Sequence, residues 1–333
     1  MVAIYSIAHF LVDLACAYLM FRFFIGTPNA GMLTFAYNYC AFALQMPLGA
    51  FADKLNRNWM VAAVGIIIVG ASCFLAAMPF AAVILAGIGN ACFHVGGGID
   101  VLNVSKDQMK ALGVFVSPGA FGIYLGTMLG KTATIAPALL PLILFLPVIA
   151  LILLQKAQSG LTQNAAFSLQ PVRNRNSIVP LACLFAVVCL RSYIGLAVSF
   201  PWKAEAKFGA LLICAVVAGK AAGGFAADKA GAAKVSMASL AIASVLFLAP
   251  QVPTAGIISM LAFNMTMPIT LWSAAKIMPG AKGFAFGTLS FGLFIGFLPV
   301  YFFGGQGYPP IFFTAFGGLS LALLIYGLKG SKI

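Results

Sequence analysis

The stretches Gly49-Ala-Phe-Ala-Asp53-Lys54-Leu-Asn-Arg57 and, 175 residues further on, Gly224-Phe-Ala-Ala-Asp228-Lys229-Ala-Gly231 decide how this chain folds. Each lies where one long apolar run stops and the next begins, so the sequence reads as two copies of one membrane unit. Outward from them, runs of about 20 apolar residues, the length that spans a bilayer, number twelve. In the first half they cover 3–25, 33–52, 59–78, 80–104, 112–130 and 134–154; in the second, 178–200, 208–227, 235–250, 255–275, 284–303 and 310–328. The one long polar connection, 155–176, is rich in Gln, Asn and Ser and separates the halves. The expected fold is an all-α membrane protein of twelve transmembrane helices in two pseudo-symmetric six-helix halves. Residues 1–155 form the amino-terminal half, 156–176 a cytoplasmic linker and 177–333 the carboxy-terminal half.

Composition agrees with that reading. With 62% hydrophobic and 8% charged residues and a mean hydropathy of +1.06, the chain is too apolar for a soluble core of its length. A formal charge of +13 would suggest nucleic acid in a soluble domain. Here the cations occupy short gaps between spans, and their distribution reports orientation. Thirteen Lys and Arg lie on the side of the amino terminus: Lys54, Arg57, Lys106, Lys110, Lys156, Arg173, Arg175, Lys229, Lys234, Lys276, Lys282, Lys329 and Lys332. Arg22, Lys131, Lys203 and Lys207 fall on the other face. The positive-inside rule then places both termini in the cytoplasm of a multi-pass protein of the inner (plasma) membrane. Moving a single helix in or out of the count would scramble this asymmetry.

All seven cysteines fall inside spans and form no CxxC pair, so they read as packing residues. The first span carries His9 and Asp13 at its middle without a charged leader, which marks a retained span rather than a cleaved signal. No GxxxxGK[ST] motif is present, so ATP is not the evident energy source, and no cofactor is expected.

The doubled Gly-x-x-x-Asp-Lys signature resembles motif A of the major facilitator superfamily. The first copy has Asn56 where that family usually has glycine, and the second keeps Gly231 but has only Lys234 beyond it. The resemblance implies a cytoplasmic gate of Gly49, Asp53, Lys54, Arg57, Asp228 and Lys229 that latches the halves in one state and releases them in another. A carboxylate at a helix end can pair with a neighbouring helix amino terminus or a cation, a contact weak enough to break. Ile7-Ala8-His9-Phe-Leu-Val-Asp13, Gly87-Ile-Gly89-Asn-Ala-Cys-Phe93-His94, Leu190-Arg191-Ser192 and Met278-Pro279-Gly280 are similar to the fosmidomycin-resistance branch of drug/proton antiporters. That branch has proline after the Phe-His, where this chain has Val95 and three glycines.

Charge inside hydrocarbon costs a few kcal/mol per residue, so what persists faces a cavity or a partner. In that superfamily spans one, four, seven and ten line the central path, which would place Asp13, His94 and Arg191 on lining helices. His9 lies one turn from Asp13 on the same face, and these two with His94 are the proton-coupling candidates. Desolvation favours the neutral carboxyl and a cation such as Arg191 the charged one; a permanent Asp13–Arg191 ion pair is the alternative. For substrate binding the candidates are Arg191, whose fixed charge suits a phosphonate or carboxylate, Lys220, Tyr37, Asn38, Asn264 and Trp272. Thr266 and Thr270 add polarity to span ten. Asp100 reads as a solvated helix-end residue.

Span five, Gly113-x-x-x-Ser117-Pro118-Gly119-x-x-Gly122-x-x-x-Gly126, resembles a degenerate motif C, the antiporter pattern, and is expected to pack against a helix of the other half. The function these features point to is proton-coupled efflux, by alternating access, of a small organic and anionic compound. Uptake by symport and efflux of a metal ion held by His9, Asp13, His94 and Cys92 are the alternatives; no resident metal is expected. With no nucleophile beside a base and no HExxH, the chain does not read as an enzyme. The expected partners are the small-molecule substrate, protons and the lipid bilayer, with no nucleic acid, and the chain is expected to act as a monomer.

Overall fold

The computed structural model describes residues 1–157, 163–171, 177–305 and 307–330. Arg173, Arg175 and Lys332, three of the cations counted above, and parts of the linker (158–162 and 172–176) lie outside the described residues. All regular structure among the described residues is helical. Hydrocarbon offers backbone N–H groups no partner, so each segment must satisfy its own.

Twelve helices follow in order. They are α1 Val2–Phe24, α2 (30–55), α3 Asn58–Leu75, α4 Pro79–Val104, α5 Lys110–Thr132, α6 Leu139–Ala157, α7 Ile178–Ala197, α8 Ala206–Ala230, α9 Ala232–Leu246, α10 Pro253–Ile277, α11 Lys282–Phe303 and α12 Pro310–Lys329. Ten are long and apolar enough to cross a membrane. The other two are α2, divided by a π-helical turn at Tyr39–Ala43, and α9, whose 15 residues rise only about 22 Å. Each of the twelve apolar runs read from the sequence corresponds to one helix.

Proline and positive-φ residues set the punctuation. In α5, Pro118 separates Lys110–Val116 from Pro118–Thr132, and the Ser117 hydroxyl donates to the Gly113 carbonyl at the break. In α10, Pro268 has no N–H to offer the carbonyl of Asn264, and the helix breaks there into Pro253–Asn264 and Thr266–Ile277. The two signatures end alike. Asn56 caps α2 in the left-handed region (φ 50°), a conformation that asparagine tolerates, and Gly231 ends α8 with φ 92°. Asparagine therefore does at position 56 what glycine does at position 231.

The chain forms two compact units. Unit one comprises Met1–Lys106, Pro118–Phe167 and Gly280–Phe291; unit two comprises Asp107–Ser117, Ser168–Pro279 and Gly292–Ile333. Thus the first turns of α5 belong with unit two and the first turns of α11 with unit one. In unit one, Gly122, Gly126 and Gly130 of α5 bring that helix onto the backbone of α1, where an added methyl would meet the Phe10, Leu14 and Tyr18 carbonyls. In unit two, a methyl at Gly113 would lie 2.8 Å from the Lys220 carbonyl oxygen of α8. The small-residue stripe expected to face the other half is therefore split at Pro118. Its first glycine meets α8, and the rest meet α1 of their own half.

Candidate functional site

Both signature carboxylates sit at helix starts. In unit one, Asp53 Oδ1 accepts from Gly283 N at 2.8 Å and Oδ2 from Phe284 N at 2.9 Å, so the side chain caps α11 where unpaired N–H groups and the positive end of the helix dipole concentrate. A methyl on Gly49 would collide with the Gly283 carbonyl, which is why the signature begins with glycine. In unit two, Asp228 accepts from Met109 N at 2.6 Å and Lys110 N at 3.0 Å, capping α5 in the same way. Asp53 is 4% exposed, whereas Asp228 is exposed. Asp53 lies just beyond Ala52, where its apolar span ends. Burial pushes its carboxyl above the usual aspartate value, while the Gly283 and Phe284 N–H groups and the Lys282 ammonium act in the opposite direction. The signature's own cations point elsewhere. Lys54 Nζ lies 4.9 Å from the Phe167 ring centroid, and Arg57 reaches the Met60 sulfur at 3.9 Å.

The second group is buried in unit one between α1 and α4. His9 Nε2 lies 3.2 Å from Asp13 Oδ2 and 2.9 Å from His94 Nε2; His94 Nε2 is 4.0 Å from Asp13 Oδ1. Asn90 donates to Asp13 Oδ1 at 3.0 Å, and its main-chain oxygen lies 2.9 Å from His94 Nδ1. A carbonyl can only accept, so Nδ1 of His94 carries the hydrogen. Its Nε2 then accepts from Nε2–H of His9 when both rings are neutral. One proton is held among three acceptors. Gly119 of α5 faces the group so closely that a methyl there would collide with His9 Nε2. Tyr37 of α2 reaches the Cys16 thiol, which in turn lies 3.8 Å from the Asn90 amide nitrogen.

The third group is in unit two. Arg191 of α7 is 8% exposed. Its Nη2 donates to Thr266 at 3.0 Å and Thr270 at 3.3 Å, and Nη1 to Thr270 at 3.3 Å. These two threonines stand one turn apart on α10. Arg191 Nε, Trp272 Nε1 and Ser273 Oγ are buried without a hydrogen-bond partner among the described residues.

The remaining sequence candidates divide by where their polar atoms go. Asn38 donates to Thr34 O at 2.8 Å, Asn264 to Met260 O at 2.8 Å and Gln45 to Ala41 O at 2.7 Å, each within its own helix. Lys220 is half-buried on α8, and Lys229 is exposed. Lys276 sits 5.5 Å from the Trp272 ring centroid and pairs with Asp107. Asp100 corrects the sequence reading. It is fully buried and accepts from Tyr5 at 2.5 Å and Asn58 at 2.9 Å. Its place near a span end suggested solvent, but the Tyr5 and Asn58 donors let the carboxylate remain inside. Asn90 and Gly119 were quoted in motifs without a role. No sequence signal beyond the helix break marks the Gly283, Phe284, Met109 and Lys110 amides, because backbone donors carry no residue code.

No family model matches this sequence, and no curated protein matches it. Solved structures do match its fold. A variant of the Escherichia coli fucose:proton symporter FucP aligns with TM-score 0.71 and 15% identity over 100% of this chain and 98% of that one. The human organic anion transporter MFSD10 (TETRAN) aligns with TM-score 0.71 and 16% identity, covering 98% of both. FucP in the outward conformation, described as a major facilitator superfamily transporter, gives 0.66 and 15% over 100% and 99%. The chain has the major facilitator fold.

Proposed function

We propose that this chain is a secondary transporter that couples protons to the movement of a small organic anion, working as an exporter by alternating access. Arg191 carries the reading. A buried guanidinium satisfied, among the described residues, by two threonine hydroxyls alone, with Nε unpartnered there, is an expensive arrangement that an incoming carboxylate or phosphonate would complete. Trp272 and Ser273, on the same helix as Thr266 and Thr270, offer further unpartnered polar atoms; Lys220, Tyr37, Asn38 and Asn264 complete the proposed binding residues. His9, Asp13 and His94 supply the proton. Three acceptors sharing one hydrogen can take up a second when water reaches them and give it back when it withdraws.

The fold fits such a cycle, since transporters of this plan carry a site near the bilayer midplane and move one repeat against the other. FucP is a proton symporter and MFSD10 an organic anion transporter by name, which is the class of coupling and cargo proposed here. Export is favoured by the motif C-like glycines of α5 and by the likeness to the fosmidomycin-resistance branch. The caps at Asp53 and Asp228 serve as the cytoplasmic gate of a monomer in the plasma membrane with both termini inside. The test is a panel of organic anions in proteoliposomes, with and without an imposed pH gradient. Accumulation driven by the gradient and lost in Asp13→Asn supports the reading. Gradient-driven transport that survives Asp13→Asn removes Asp13 from coupling, and a panel indifferent to the gradient overturns proton coupling altogether.

A further inference from the structure

The chain has two histidines among 333 residues, and the fold brings both to one carboxylate. Their Nε2 atoms stand 2.9 Å apart, with Asp13 oxygens at 3.2 Å from one and 4.0 Å from the other. All three donor atoms lie within 4.8 Å of one another. Imidazole nitrogens bind first-row divalent ions at about 2.0–2.1 Å, which sets neighbouring ligand atoms about 2.8–3.4 Å apart in octahedral or tetrahedral geometry. The His9–His94 and His9–Asp13 separations fall at that spacing.

The surroundings are those of a ligand set. His94 Nδ1 is engaged by the Asn90 carbonyl, so Nε2 presents its lone pair, and the Asn90 amide orients Asp13. Asn90 Oδ1, on a residue 3% exposed, is buried without a partner and is a further oxygen beside the group. Gly119 is the residue of α5 that stands against His9 Nε2 and Asp13 Oδ2, where a methyl would collide with both. Cys92, included when the histidines were read as ligands from sequence, is not part of the cluster.

We propose that His9, Asp13 and His94 form a binding site for one first-row divalent transition-metal ion. Two imidazoles and one carboxylate select Zn²⁺, Fe²⁺, Co²⁺ or Mn²⁺ over calcium and leave coordination positions open. On binding, the hydrogen leaves Nε2 of His9. It moves to Nδ1 of the same ring when that nitrogen is unprotonated and to solvent when it is not. The titratable neighbours are Cys16 of α1 and Tyr37 of α2, and α5 presents Gly119. The inference stands on the geometry of the trio and does not depend on the cargo.

The experiment uses the full chain, without a histidine tag, in lipid nanodiscs. Titration with CoCl₂ is followed by visible absorption, ZnCl₂ is the competitor, and Cu²⁺ electron paramagnetic resonance counts coordinated nitrogens. One cobalt per chain, displaced by zinc, with coupling to two imidazole nitrogens, is the expected result. Loss of the bands in His94→Gln, and weakening by about 10- to 100-fold in Asn90→Ala, where only the support of Asp13 is removed, complete it. The proposal is overturned by absence of stoichiometric cobalt binding, by bands that persist when both histidines are replaced, or by a copper spectrum without nitrogen coupling. The copper spectrum is recorded on the unaltered chain, so it decides even where a variant fails to fold. Gradient-driven anion transport without metal binding removes this inference alone. Metal binding without gradient-driven anion transport removes the proposed function and leaves the site.

Discussion

Replacing Asp53 with alanine should loosen the start of α11, and the structure sets how far. The carboxylate accepts one N–H with each oxygen. The Gly283 bond is fully buried and the Phe284 bond partly so. A buried N–H stripped of its acceptor costs about 1–3 kcal/mol, and a partly wet one less. Relief of the buried charge offsets some of this, since burial is the largest influence on the Asp53 carboxyl. A net cost of about 2 kcal/mol remains, or roughly 30-fold in the population of the undocked segment. Asp228→Ala removes two bonds of similar length, but one is partly buried and the other exposed, so water can replace the carboxylate. About 0.5–1 kcal/mol, roughly 2- to 5-fold, is expected there.

Hydrogen exchange read by mass spectrometry in nanodiscs measures both. Peptides covering 280–291 should lose protection in Asp53→Ala about ten times more than peptides covering 107–117 lose it in Asp228→Ala. Asp53→Asn, which keeps one acceptor oxygen, should fall between Asp53→Ala and the unaltered chain. Equal effects at the two caps, or a loss in 107–117 when Asp53 is replaced, would refute the assignment of these carboxylates as caps whose strength follows burial.

Four further outcomes follow from the same geometry. Because burial raises the Asp53 carboxyl in the docked state, docking takes up a proton; protection of 280–291, corrected for intrinsic exchange, should rise as pH falls and be lost as pH rises through the elevated value. Its failure to rise as pH is lowered to the usual aspartate value would show that the two N–H donors outweigh burial. Arg191→Leu should weaken anion binding at least about tenfold while leaving the melting temperature unchanged or raised, because a costly buried charge is removed; an unchanged affinity, read by thermal-shift titration, would leave Arg191 without a substrate role. Gly119→Ala should destabilise unit one by about 1–3 kcal/mol through overpacking against His9 and Asp13, measured as a drop in melting temperature that Gly195→Ala, with open space around it, does not produce. Asp100→Leu should be more destabilising than Asp100→Asn, since only asparagine can still accept from Tyr5 or Asn58.

The twelve helices were legible because hydrophobic length is a property of consecutive residues. The exchange of helix starts was not. Segment 280–291 joins unit one through two backbone amides meeting Asp53 and through close approaches at Gly49, Gly98 and Gly287, and the amides leave no trace in the sequence. The stripe in α5 shows the same limit from the other side. Its spacing announces close packing, but Gly113 meets α8 while Gly122, Gly126 and Gly130 meet α1, and small residues do not name their partners. Asp100 was misread for a related reason, since a carboxylate near a span end is solvated only when no Tyr5 or Asn58 waits for it.

A polar residue within a span becomes informative once its partner is known. Asn38, Gln45 and Asn264 give their amide hydrogens to carbonyls four residues back in their own helices. Such bonds satisfy the side chain wherever the helix goes and require no neighbour. His9, Asp13, Asn90 and His94 instead bond across α1 and α4, so their cost of burial is offset only when these helices are held in register. The glycine face of α5 supplies that register. Arg191 is intermediate, held across helices by Thr266 and Thr270 yet left with an unsatisfied Nε. That unsatisfied Nε is what the proposed anion would complete. The combination of a proton-sharing trio in one unit and an incompletely bonded cation in the other therefore separates the proposed coupling residues from the proposed binding residues better than their shared polarity does.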